Sequence, residues 1–343
     1  MSETFHIIGD VHGCRTQLEA LLEKLGYARP APGGDPYDWT APPGSVAVFL
    51  GDLVDRGPDS LGCLWILERL LAKGQARWVL GNHELKCRQL VRHLLGKEKE
   101  SGPISAGTLT TWTQLLGLSA DRLSRVRGLI DRAPGYLELV PGELIVVHAR
   151  WEERFATLPR LAQWMACAAG ESDQDDRKIP DDAEVEVDHG RGMLDLEPFA
   201  PLAPRARWIR RWHGPALVAW GHQVVRPGRV VRVGRSIAVD SGCCQGYALS
   251  AYVWPSHDVV QVEGEPSWKA RMASYAKAGV LLFPKTRAAA YDRLARMKPI
   301  DPDDYAWRIG IELERRGLPR PWPELEAAHR GIFAQWRRAS TGT

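Results

Sequence analysis

The stretch Gly51-Asp52-Leu53-Val54-Asp55-Arg56-Gly57 constrains this chain more than any other. It follows Ser45-Val46-Ala47-Val48-Phe49-Leu50, a short valine-rich run that reads as a buried strand. The chain leaves that strand at a glycine and within six residues presents two carboxylates and a guanidinium. Charges beside a core are costly unless they are paired or bound to a metal. Open α/β sheets bind their ligands at the carboxyl ends of strands. The density of charge here therefore marks a functional loop. Asp52 reads as a metal ligand, Asp55 as a residue that orients a neighbour, and Arg56 as an anion grip with a rigid fork.

The same grammar recurs along the chain. Gly9-Asp10-Val11-His12-Gly13 ends a first apolar run, and on an extended segment Asp10 and His12 would point to one side. Gly81-Asn82-His83-Glu84 ends another, with Asn82 as a neutral oxygen ligand and His83 as an acid–base candidate. Val146-Val147-His148 and Trp220-Gly221-His222 each close with a histidine. Each alone has a bland reading: a turn, an N-cap at Asn82, a satisfied core histidine. Together, five strand ends supply Asp10, His12, Asp52, Asn82, His148 and His222. That set can hold two metal ions sharing one bridging carboxylate. Mixed imidazole and oxygen donors suit manganese, iron, nickel or zinc better than calcium or magnesium. Two such ions roughly 3.5–4 Å apart can clamp a phosphoryl group and activate a water.

Periodicity predicts strands at Thr4 to Gly9, Val46 to Leu50 and Arg77 to Leu80, alternating with helices at Arg15 to Leu25 and Leu61 to Leu71. This order argues for an α/β core. Further helix is expected at Glu84 to Leu95, then to about Ile130, and at Trp151 to Ala169. Tyr136 to Val140 and Leu144 to His148 read as strands around the Pro141-Gly142 turn. The acidic stretch 171–188 reads as a loop. From Ala216 the pattern is all strand: Leu217–Trp220, Val230–Val233, Ile237–Val239, Ala248–Trp254 and Val259–Val262. Ala288 to Arg338 reads as a helical tail.

The ordered set Gly-Asp-x-His-Gly, Gly-Asp-x-Val-Asp-Arg-Gly, Gly-Asn-His-Glu and two later histidines resembles the phosphoprotein phosphatase branch of the calcineurin-like metallophosphoesterases. Gly-Asp-Val-His-Gly-Cys and Asp52 to Pro58 are similar to small bacterial members, which include diadenosine tetraphosphate hydrolases and the phosphatase module of polynucleotide kinase-phosphatase. The stretch Ala238 to Cys243 is similar to their closing strand. The resemblance implies a two-layered β-sandwich flanked by helices over residues 1–280, with 281–343 as a helical C-terminal extension. It implies Asp10, His12 and Asp52 on a first divalent ion, and Asp52, Asn82, His148 and His222 on a second, with manganese foremost and iron, nickel or zinc as alternatives. His83 would be the general acid, Asp55 its partner and Arg56 the residue that neutralises phosphoryl charge. The reaction implied is attack of metal-bound water on phosphorus without a covalent enzyme intermediate. The substrate implied is a phosphorylated serine or threonine on a protein or a dinucleoside polyphosphate, with the phosphorylated end of a nucleic acid as the alternative.

The chain departs from its relatives in places. Ala149-Arg150-Trp151 replaces the usual small pair after the first late histidine, so Arg150 is either a second phosphate grip or a solvent-facing side chain. Gln223 follows His222 where threonine is common. Arg205, Arg207, Arg210 and Arg211 flank Trp208 and Trp212 and read as a solvated helix face, with contact to an anionic substrate as the sharper alternative. The full ligand set argues against a non-catalytic binding protein on a phosphatase scaffold. With 45 basic and 42 acidic residues the net charge is +3, too balanced to indicate nucleic-acid binding from charge alone. The six cysteines lack zinc-site spacing. They read as reduced thiols of a cytoplasmic protein. There is no membrane-length apolar run and no signal-peptide pattern.

Overall fold

A computed structural model describes residues 3–97, 106–168, 185–187, 193–196 and 204–270. The strands are β1 (Thr4–Ile8), β2 (Ser45–Phe49), β3 (Ala76–Trp78), β4 (Tyr136–Val140), β5 (Leu144–Val147), β6 (Val185–Val187), β7 (Met193–Leu196), β8 (Leu217–Trp220), β9 (Val230–Val233), β10 (Ser236–Ala238), β11 (Ala248–Trp254) and β12 (Asp258–Glu263). The helices are α1 (Arg15–Lys24), α2 (Ser60–Ala72), α3 (Asn82–Leu94), α4 (Leu109–Leu116), α5 (Ala120–Arg132) and α6 (Arg160–Ala168). One sheet has the order β12-β11-β1-β2-β3, and the other β4-β5-β8-β10-β9-β7-β6.

Strand alternation builds the layers. Phe5, Ile7, Val46, Val48 and Leu50 of the first sheet meet Leu144, Val146, Leu217, Ala219 and Ile237 of the second in one core. Their sequence neighbours Ile8, Ala47 and Phe49 turn outward onto the core of α1, α2 and α3. On the far side, Ile145, Val147, Val218 and Trp220 pack with Trp151, Phe155 and Trp208. Because side chains alternate with period two, a sheet buried on both faces reads as a continuous apolar run. That is the pattern of β1, β2, β5 and β8.

In the first sheet β1, β2 and β3 are parallel; in the second β5, β8 and β10 are parallel. Their carboxyl ends deliver Asp10, Asp52, Asn82, His148 and His222 to a common place.

Several expectations are corrected. The helix expected over 151–169 is a 3-10 turn, Glu153–Thr157, followed by α6. Pro159 has no N–H to continue the first element, and Leu158 before it is extended at ψ 145. The helix expected to run to Ile130 divides at Gly117, and Ser119 caps α5 by accepting the Arg122 N–H. The acidic stretch expected to be a loop contains β6, which pairs antiparallel with β7. Apolar residues there are too few to signal a strand from sequence, and pairing supplies the order instead. The helical tail lies outside the described residues. Among the described residues no helix is long and apolar enough to cross a membrane, and all six cysteines are free and buried.

Candidate dinuclear metal site

Each loop that follows a strand end places its side chain by bending where ordinary residues resist. His12, Asp52, Asp55, Arg56 and His222 all have positive φ, between 47 and 73 degrees. This corrects the expectation that Asp10 and His12 share one side of a strand. β1 stops at Ile8, and a left-handed turn at His12 brings the two side chains together. Glycines make room for them. A Cβ on Gly81 would lie 2.2 Å from Asp52 Oδ1, and one on Gly221 would lie 2.2 Å from Asp10 Oδ1. Each carboxylate rests directly on the backbone of another motif, Asp52 on Gly81 and Asp10 on Gly221.

The six predicted ligands converge. His12 Nε2 is 3.9 Å from Asp10 Oδ2 and 3.7 Å from Asp52 Oδ2. His148 Nε2 is 3.4 Å from Asp52 Oδ2, 3.1 Å from Asn82 Oδ1 and 3.2 Å from His222 Nδ1. His222 Nδ1 is 2.9 Å from Asn82 Oδ1. Asn82 is thus not an N-cap but the first residue of α3, aimed at the histidines. Donor atoms of His12, Asp52 and His83, and of Asp52, His148 and His222, form two groups in which all lie within 4.8 Å of one another. Asp52 belongs to both, as a bridging carboxylate must. Asp10 Oδ1 and Oδ2 each accept the His222 N–H at 3.0 Å.

The second contacts of the rings fix which nitrogen faces inward. His12 Nδ1 donates to Val54 O at 3.0 Å, and His148 Nδ1 donates to Leu50 O at 2.7 Å. Both Nε2 atoms therefore face the cluster. Burial, with the nearby Arg56 and His83 charges, keeps His12 well below the ordinary imidazole range, so its inward nitrogen keeps a lone pair. His148 moves the other way. Burial lowers its pKa, but Asp52 and Asp10 outweigh that and raise it to about 10. A place where the Asp52 carboxylate lies 3.4 Å from a fully buried imidazole is one that favours positive charge. The donor set and the local field both fit divalent cations.

His83 and Asp55 stand beside this cluster. His83 Nδ1 donates to Asp55 Oδ2 at 2.7 Å. The same oxygen accepts the Thr108 hydroxyl at 3.1 Å, while the Asp55 N–H donates to Ser60 Oγ at 3.0 Å and Thr111 Oγ1 at 2.9 Å. Burial lowers the His83 pKa, but the Asp52 charge and the Asp55 hydrogen bond raise it above its ordinary value on balance. Arg56 donates from Nη1 to His12 Nε2 at 2.8 Å, and its Nη2 lies 3.2 Å from His83 Nε2. The Arg150 guanidinium lies 5.1 Å from the Phe155 ring, with Nε 3.8 Å from Glu152 Oε1. Of the basic cluster, Arg210 and Arg211 are exposed while Trp208 is buried, consistent with a solvated face.

Sequence reasoning assigned no role to two carboxylates here. Glu84 is fully buried, and its carboxylate accepts N–H groups from Gly81 at 3.0 Å, Asp52 at 2.8 Å and Leu53 at 2.8 Å. It ties the loop after β2 to the loop after β3. Burial, with the Asp52 charge, pushes its pKa up to about 7. Its place beside His83 in a charged turn was the signal. Asp240, past the end of β10, accepts the Gly242 N–H at 3.0 Å, and burial raises its pKa to about 6. The strand-end pattern that located the six candidate ligands extends to Asp240.

The family model for calcineurin-like phosphoesterase matches residues 3–226. Among curated proteins, the asymmetrical bis(5'-nucleosyl)-tetraphosphatase PrpE of Geobacillus sp. (strain WCH70) is 30% identical over 75% of this chain and 92% of its own length. That of Bacillus subtilis (strain 168) is 32% identical over 75% of this chain and 93% of its own. A solved metallophosphoesterase from Sphaerobacter thermophilus is similar at 17% identity and TM-score 0.39, covering 86% of this chain and 99% of that one.

Proposed function

The chain belongs to the calcineurin-like phosphoesterase family, a hydrolase acting on phosphoesters, and from that premise we propose that it cleaves a phosphoanhydride of bis(5'-nucleosyl) tetraphosphates. The observation that supports this substrate is the match to relatives of that name across nearly their whole length. Asp10, His12, Asp52, Asn82, His148 and His222 would hold two divalent ions, manganese in our reading because the donors mix imidazole with oxygen. Once bound, the ions would supply positive charge to the phosphoryl oxygens and acidify a water. His83, held by Asp55, would carry the proton that the leaving oxygen takes up. Arg56 would bind the phosphoryl oxygens with a charge that remains at every working pH. Arg150 would take a further phosphate of the polyphosphate chain by leaving Glu152. We take residues 1–280 as the catalytic unit and 281–343 as an extension, and the free thiols favour a cytoplasmic setting.

The test is a substrate panel with added manganese: diadenosine tetraphosphate, a phosphoserine peptide and an oligonucleotide with a phosphorylated end. The tetraphosphate should give the highest kcat/KM. A higher value for the peptide or the oligonucleotide would replace this reading. Arg150→Gly should lower the ratio of kcat/KM on the tetraphosphate to that on the peptide, because a second guanidinium has more to bind when further phosphates are present. An unchanged ratio would make Arg150 a packing residue on Phe155.

A further inference from the structure

One aromatic residue near the site has no part in the chemistry above. Among the described residues, Tyr247 is 45% exposed, in the company of only Leu161 and Met165 as large apolar side chains open to solvent. Leu161 and Met165 lie on α6. Tyr247 directly precedes β11, at the end of the turn that begins at Asp240.

Its position is fixed by backbone. Gly242 is left-handed at φ 82, and a Cβ there would lie 2.8 Å from Tyr247 Cδ2 and 3.3 Å from Val224 Cγ2. The ring edge therefore rests on the Gly242 backbone beside Val224, two residues past His222. The Tyr247 N–H donates to Gly242 O at 3.2 Å, and Tyr247 O accepts the Gly264 N–H at 2.8 Å. The 3-10 turn Cys243–Gln245 lies between Gly242 and Tyr247. Cys244 in that turn has its Sγ 4.0 Å from Arg56 Nη1. One short turn thus bears a contact to the arginine of the metal site and, three residues later, a held but solvent-facing phenol.

Any nucleotide whose phosphate reaches Arg56 carries its base outward from that point. An aromatic ring already held in place binds with little ordering cost. Stacking a base on such a ring is worth about 1–3 kcal/mol and tolerates any base, since every base has a π-face. We propose that Tyr247 is a stacking platform for a nucleobase of the substrate, flanked by Val224. The proposal rests on the reading of the substrate as a dinucleoside tetraphosphate and adds the residue that recognises its nucleoside.

The experiment compares wild type with Tyr247→Phe, Tyr247→Leu and Tyr247→Ala on diadenosine tetraphosphate and on glycerol phosphate, which has no ring. Stacking needs the ring and not the hydroxyl. Tyr247→Leu and Tyr247→Ala should raise KM for the tetraphosphate about 5- to 150-fold, the range that such a stack spans, with kcat nearly constant. Tyr247→Phe should restore the wild-type ratio of kcat/KM between the two substrates. The leucine variant keeps bulk on Gly242, so a collapsed turn cannot imitate a lost stack. If Tyr247→Leu leaves KM at the wild-type value, the platform is overturned and the tetraphosphatase reading stands. If wild type turns over glycerol phosphate and leaves the tetraphosphate intact, both are overturned.

Discussion

His83 and Asp55 are joined by a 2.7 Å hydrogen bond from Nδ1 to Oδ2, and that Asp55 oxygen also accepts the Thr108 hydroxyl. The aspartate cannot turn away from the imidazole without leaving buried groups unpaired. His83→Ala should lower kcat by about 10²–10⁴-fold on an alkyl phosphate, the range of a general acid. The loss should be smaller on diadenosine tetraphosphate and on p-nitrophenyl phosphate, whose leaving groups need less protonation. Equal losses on all three would remove His83 from the acid role.

Asp52 sits among His12, His83 and His148, and although burial alone would raise its pKa, those imidazoles hold it well below the usual carboxylate range. Asp52→Asn keeps the shape and removes the charge shared by both groups. Bound metal, counted by elemental analysis, and turnover should both fall nearly to background while the circular dichroism spectrum stays native. A variant that retains two metals per chain would reject a bridging role.

Glu84→Gln replaces one acceptor oxygen with an amide donor that faces backbone N–H groups. Leaving such a buried donor unsatisfied costs about 1–3 kcal/mol. The variant should melt at a lower temperature and lose activity, because the Asp52 and Gly81 loops are no longer tied together. An unchanged melting temperature would show that the two loops hold their places without the carboxylate.

His6 gives a pH signature away from the metal site. Burial lowers its pKa from 6.5. The unfolded chain therefore binds a proton at a higher pH than the native one does. Its share of stability is complete above about pH 6.5 and is lost as pH falls from there toward the lowered native value. Urea unfolding at pH 8 and pH 5.5 should show a smaller acid loss in His6→Gln than in wild type. The same loss in both would assign the pH dependence to other groups.

The sequence made the fold legible where burial imposes period two. β2, β5, β8, β9, β11 and β12 all fall within a residue or two of their expected spans. It made the convergence of the six candidate residues legible because a charged or polar residue at the end of an apolar run has few structural reasons to be there. Glu84 was not legible as a brace, since only folding brings the Asp52 and Gly81 amides to its carboxylate. The break at Pro159 was readable, but amphipathic spacing on both sides of it hid the proline. Arg150 shows the opposite limit: adjacency to His148 in sequence does not say which way a guanidinium turns, and only folding brings it 5.1 Å from the Phe155 ring and 3.8 Å from Glu152 Oε1.

The left-handed backbone at His12, Asp52, Asp55, Arg56 and His222 has an evolutionary consequence. Each such non-glycine residue costs on the order of 1 kcal/mol of folding stability. A population of variants selected only for resistance to heat would find relief at these five positions, and every such gain would alter a side chain of the candidate site. Heat tolerance in this protein would therefore have to be gained elsewhere, in the helices and the outer face of the second sheet.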